Sequence, residues 1–187
     1  MDIITLEAIF TTDGKEGWTH TFPYLGQLAF LGILDEYTSV ARVPSIRSYT
    51  PACTSVELRQ QFDEGINNGI MKETLENATW PDRWFRPEDA WKTIESIRNV
   101  MLSEDKEALL EPIESIRQEV ADECEKLRQL LEGAAARNLR FKVEIGIMDH
   151  PPLRLREWTD RHEAALYGDI LDMLEDAGID IKKEDDE

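Results

Sequence analysis

The sequence predicts an α+β fold, mostly helical, in which a small antiparallel sheet packs against a helical hairpin and a C-terminal helix. Three observations predict it. Apolar residues alternate with polar ones near the N-terminus and again at 140–147, the period of half-buried strands. Two apolar stripes at helical spacing run between 87 and 134, and a third lies near the C-terminus. The 187 residues, 41% of them apolar, are enough to bury a core, which predicts one domain over 1–181 and an acidic tail over 182–187.

The first strand sets Ile4, Leu6, Ala8 and Phe10 against Ile3, Thr5, Glu7 and Ile9. Asp13-Gly14 lies in the turn that follows, a pair suited to positive φ, and Trp18, His20 and Phe22 form the return strand of a hairpin. Pro23 stops it. Leu25, Leu28, Ala29, Phe30, Leu31, Ile33 and Leu34 read as a short buried helix that Gly26 and Gly32 weaken. Residues 41–54 read as an irregular loop. Thr54 or Ser55 then caps a predicted helix carrying Val56, Leu58, Phe62, Ile66 and Ile70, with a stop signal at Asn67-Asn68-Gly69 and a further helical turn over 71–77.

Trp80, Trp84 and Phe85 form an aromatic knot with Pro81 and Pro87. Pro87-Glu88-Asp89 has the form of a helix start: a proline whose missing N–H costs nothing, then two acids against the positive end of the dipole. Ala90, Ile94, Ile97 and Met101 make its core stripe, widened by Trp91 and Val100, and Ser103 with the charges after it breaks the pattern. Leu109, Ile113, Ile116, Val120, Cys124, Leu127, Leu131 and Ala134 mark a longer second helix. Pro112 falls near its start, and Asn138 suits a left-handed stop. The short connection predicts an antiparallel helical hairpin. Phe141, Val143, Ile145 and Ile147 alternate with Arg140, Lys142, Glu144 and Gly146 as the third strand. After Pro151-Pro152, Thr159 is the predicted cap of the last helix, with Leu166, Ile170, Met173 or Leu174, and Ala177 facing the core and Gly178 closing it.

The pattern Trp84-Phe85-x-Pro87-x-x-Ala90-x-x-Thr93-Ile94, followed by a charged spacer, a helix, Ala134-Ala135-Ala136-Arg137-Asn138-Leu139-Arg140-Phe141 and a strand, resembles a group of uncharacterised bacterial proteins. The likeness spans Trp84 to Ile147. It implies a helix–helix–strand order and a bacterial or phage origin, and it carries no function, because its residues are structural punctuation.

The formal charge of −18 is the most unusual property of the chain. It excludes direct sequence-independent binding of nucleic acid, which needs basic patches against phosphate, and disfavours anionic membrane surfaces. No stretch has the apolar length of a membrane span. The acidic start of the chain lacks a signal peptide's basic region, so a cytoplasmic protein with two reduced thiols, Cys53 and Cys124, is expected.

Catalytic motifs are missing. The three histidines, His20, His150 and His162, are weak candidates for a metal or hydrolytic site, and no H-E-x-x-H spacing joins them. Cys53 has no nucleophile motif around it, and the chain holds neither a G-x-S-x-G elbow nor a P-loop. No cofactor is expected. Glu157 to Glu187 hold 12 acids and 3 Lys or Arg, net −9, half the charge in a sixth of the chain. Asp169, Asp172, Glu175 and Asp176 share the polar side of the last helix. That side reads either as a solvated face or as a docking surface for a basic protein. Trp80 and Trp158, flanked by polar residues, are the candidate exposed anchors of such an interface.

The leading expectation is therefore a non-enzymatic acidic protein-binding module, in concrete form an immunity-type or inhibitor protein that occludes a basic partner. One alternative is a small-ligand or metal-dependent enzyme with its site around His20, Asp149, His150 and His162. A second is a structural homodimer joined through the 109–134 stripe.

Overall fold

The computed structural model describes residues 3–12, 15–50, 83–103 and 113–176. The expected helix over 54–70, the turn over 71–77, Cys53, Trp80, Leu109, Pro112 and the tail from 177 lie outside the described residues. In chain order the elements are β1 (Ile3–Thr12), β2 (Lys15–Phe22), α1 (Pro23–Phe30), α2 (Ile33–Val40), a 3-10 turn (Ile46–Tyr49), α3 (Pro87–Leu102), α4 (Arg117–Ala135), β3 (Phe141–Met148) and α5 (Leu153–Asp176). The fold class is α+β, as the periodicities predict.

The three strands form one antiparallel sheet in the order β2-β1-β3. The register sets Leu6 opposite Phe22 and Ile145, and Ala8 opposite His20 and Val143. These residues share the face that carries Phe10 and Phe141, because side chains alternate along a strand. Phe10, Phe22, Phe141 and Val143 are buried in one core with the stripes of α3 and α4. Lys126 of α4 lies over the Phe22 ring at 5.9 Å, which fixes α4 on this face. Phe10 stacks on Trp18 at 5.3 Å, and Phe141 meets Tyr49 at 5.9 Å and Phe85 at 6.2 Å.

The helix predicted over 24–40 is two helices. Gly32 takes φ +77 and caps α2, so the chain turns there instead of continuing. Gly26 has another reason to be glycine. A Cβ at that position would fall on the backbone of Thr5 and Leu6, so α1 crosses β1 in direct backbone contact. Beside this crossing the side chain of Gln27 accepts the Ile4 N–H at 3.1 Å, satisfying the central strand beyond the end of β2.

α3 starts at Pro87, and Asp89 accepts the Arg86 N–H at 3.3 Å to close its first turn. Ala90, Ile94, Ile97 and Met101 are buried as predicted, while Trp91 is only half-buried on their flank. Thr93 is fully buried and donates to Pro44 O at 2.8 Å, and Tyr49 donates to Asp89 O at 2.5 Å. These two bonds tie the 44–49 segment to α3. On α4 the stripe Val120, Cys124, Leu127, Leu131 and Ala134 is buried, preceded by buried Ile113 and Ile116 in a turn ahead of the helix. Phe85, at the head of α3, bridges Phe141, which follows the end of α4, so the two helices run antiparallel. Asn138 has φ +57, the left-handed stop that the sequence predicts.

α5 differs from its expectation. It begins at Leu153, directly after Pro151-Pro152, and Thr159 lies in its second turn. Thr159 is 1% exposed and its hydroxyl donates to Leu155 O at 2.9 Å, so it packs inside the helix and does not cap it.

Candidate functional site

Sequence reasoning named Trp158 as an exposed anchor, and that is corrected: Trp158 is 2% exposed and belongs to the core with Leu155. The physical reason is the earlier start of α5. With Leu153 as its first residue, 155, 158, 159 and 162 share one face, and Leu155, Trp158 and Thr159 are buried on it while Glu157 is exposed. Its ring stacks on His162 at 5.0 Å with an interplanar angle of 9°. The other proposed anchor, Trp80, lies outside the described residues.

The three histidines are held apart. His20 pairs with Ala8, while His150 lies beyond Met148, which pairs with Ile3. Five residues of β1 separate those register points, about 17 Å of strand. His162 lies on α5 against Trp158. Among the described residues no group of three or more His, Cys, Asp or Glu side chains is placed to hold a metal ion. Partial burial, with Lys126 nearby, lowers the pKa of His20.

The polar groups that do converge lie where α1 meets α4. Both oxygens of Glu123 accept backbone N–H groups, Tyr24 at 3.3 Å and Leu25 at 2.9 Å. These are orphan donors of the first turn of α1, whose own flanking residues are Phe22 and Pro23 and offer no side-chain cap. A carboxylate roughly a hundred residues downstream thus serves as the cap. Desolvation outweighs the two backbone bonds and Lys126, pushing the Glu123 carboxyl up to about 7. Arg154, at the head of α5, pairs with Glu119 one turn earlier on α4. Burial, then Glu119 and Glu123, raises the pKa of the Tyr24 phenol. The arrangement is a structural joint: both Glu123 oxygens are occupied by main-chain donors. Cys124 beside it is fully buried, and burial raises its thiol pKa, so it is an inert core residue.

A second polar cluster occupies the other face of the sheet. Lys142, 4% exposed, pairs with Glu144 at 2.8 Å and lies 4.9 Å from the Trp84 ring centre. Glu7 stands opposite Glu144 in the register, and burial followed by repulsion from Glu144 raises its pKa. The Thr5 hydroxyl is buried without a hydrogen-bond partner. No sequence signal singled out these residues, because each reads as an ordinary solvent-facing member of an alternating strand. A cleft of about 330 Å³ lies between the head of α3 and the end of α4, lined by Arg86, Pro87, Glu88, Ala135, Asn138, Leu139 and Arg140. It contains no histidine or cysteine.

The predicted docking residues Asp169, Asp172, Glu175 and Asp176 all fall within the helical span of α5, as their spacing on one side requires. The anchored part of α5 is short. Leu155, Trp158 and Thr159 are buried, whereas Asp160, Arg161, Glu163, Ala164 and Ala165 are exposed and His162 is intermediate. Leu153, at the head, is 63% exposed. The stripe that might have joined two copies is used within the chain: from Ile113 to Ala134 its residues are buried in the chain's own core. No helix among the described residues is long and apolar enough to cross a membrane. No family model matches the chain, and neither a curated protein nor a solved structure matches it.

Proposed function

We propose that the chain is a non-enzymatic, acidic protein-binding module that meets a basic protein partner through α5, in the manner of an immunity-type or inhibitor protein. The observation that carries this reading is the exposure along α5. Its first turns are anchored by Leu155 and Trp158, after which 160–165 presents exposed side chains and the helix continues to Asp176 through four more acids. Seven of the 24 residues of α5 are acidic. Such a helix raises the rate of encounter with a basic surface by electrostatic steering, an effect that salt screens. With Trp158 buried, the apolar contact falls to Leu153 at the exposed head of the helix.

The test is capture from the lysate of the native host, comparing the protein with a variant carrying D169N, D172N, E175Q and D176N. The expected result is a basic protein retained at low salt, released at high salt and lost by the variant. Retention that ignores both salt and the four substitutions would overturn the reading.

A further inference from the structure

The outer edge of β3 is set up to accept one more strand. Phe141 and Phe85 exchange both backbone hydrogen bonds, Phe85 N–H to Phe141 O at 2.7 Å and Phe141 N–H to Phe85 O at 3.1 Å. The pairing stops at that single bridge. In an antiparallel strand every second residue turns its N–H and C=O the same way, so Val143, Ile145 and Ile147 point theirs outward, as Phe141 does; Val143 is 1% exposed, which leaves Ile145 and Ile147 within reach. Among the described residues no backbone group bonds to them from that side. The opposite edge is different. β2 carries a register irregularity opposite Ile9–Thr11, a common device for blunting an edge.

The side chains along the β3 edge specify what would fit. Gly146 has no side chain, and its place is taken by groups of the central strand: a Cβ there would lie 2.5 Å from Glu7 Oε1 and 2.9 Å from Thr5 Oγ1. Glu7 and Thr5 therefore occupy the space over Gly146. Glu144 on β3 is matched by Lys142, whereas no cation is paired with Glu7 among the described residues, and the Thr5 hydroxyl is an orphaned polar atom. On the other face the edge presents Ile145 and Ile147, both half-buried.

We propose that β3 is a strand-addition site for an extended basic segment of a partner protein, with a Lys or Arg opposite Gly146 reaching Glu7 and Thr5. Main-chain pairing with Ile145 and Ile147 supplies the affinity, and alternation of basic and β-branched residues supplies the selectivity. The charge of −18 opposes a second copy as the occupant. The inference rests on the basic-partner reading for the sign of the charge, but it uses main-chain groups of β3 and Glu7, not the acids of α5.

The probe is a capped alternating Lys-Val peptide of about eight residues, the length of one strand. Hydrogen exchange followed by NMR should show the amides of Ile145 and Ile147 slowed roughly tenfold or more by the peptide. Glu7→Gln should weaken binding about tenfold, the size of a charge-assisted hydrogen bond. Overturning results are equal binding by the same peptide N-methylated at its pairing amides, protection confined to other amides, or no binding. Protection of the two amides in the peptide-free protein together with a dimer mass would assign the edge to a second copy and overturn the proposal. The peptide is also measured on the α5 variant: unchanged protection supports a separate edge site, and loss of protection overturns it. Lysate capture tests α5 by itself, so the two readings fail separately.

Discussion

The two faces of the sheet are made from the same three strands and hold together in different ways. One face, Leu6, Ala8, Phe10, Phe141 and Val143, is apolar and closes on the α3–α4 hairpin, where shape and area decide stability. The other carries Thr5, Glu7, Lys142 and Glu144, largely removed from water and dependent on the partners they find. Apolar burial is non-directional and tolerates small displacements of its contacts. Buried polar groups do not, since an unmet donor or acceptor keeps its desolvation cost. The apolar face therefore sets the fold, and the polar face depends on the partners its groups find.

The largest effect that would break this contrast is at Gly26, where α1 meets β1. Gly26→Ala should cost about 3 kcal/mol or more, because the obstacle is main chain of Thr5 and Leu6, with no flexible side-chain end to swing away. Urea denaturation reads it directly. A cost below about 1 kcal/mol would show that α1 does not press on the strand.

Next comes pH. The Glu123 carboxyl is raised from 4.5 to about 7 in the folded chain, so the folded state binds more protons than the unfolded state between those values. Stability is therefore greatest near the lower value and falls as pH rises through the window, by at most about 3 kcal/mol from this group. Glu123→Gln should flatten that slope in denaturation curves taken across the same range. A slope unchanged in the variant would place its source elsewhere.

The smallest effect has the opposite sign and belongs to the polar face. Thr5→Val removes a buried hydroxyl that has no partner and keeps the shape, so the free protein should be neutral or gain up to about 1 kcal/mol. The same substitution should weaken the Lys-Val peptide if that hydroxyl serves the docked strand. A loss of stability instead would mean that the hydroxyl is already satisfied in the free protein.

Much of the architecture was legible from spacing. The alternation in β1, β2 and β3, the stripes of α3 and α4, the Pro87 start and the Asn138 stop are local patterns, and local sterics with burial are enough to read them. The reading failed at α5. Thr159 looks like a cap because Thr, Ser and Asp usually are, yet the helix starts after Pro151-Pro152, and the resulting phase turns Trp158 inward. A residue read as lying ahead of a helix has no assigned face, whereas one inside it shares the face of residues three and four positions away, here Leu155 and His162. The candidate sites were less legible still. The Glu123 cap on α1 joins residues about a hundred positions apart, and the Glu7–Thr5–Gly146 group arises only from strand register.

The sequence by itself determined the fold class, the order of the described strands and helical stripes, and a net charge of −18. Those follow from composition and from periods of two and about three and a half residues, which are properties of neighbours along the chain. Only the tertiary structure decided that Trp158 is buried, which carboxylate caps α1 and which groups fill the space over Gly146. Each of those depends on groups far apart in sequence meeting at a distance of a few ångströms, and neither composition nor period encodes that distance.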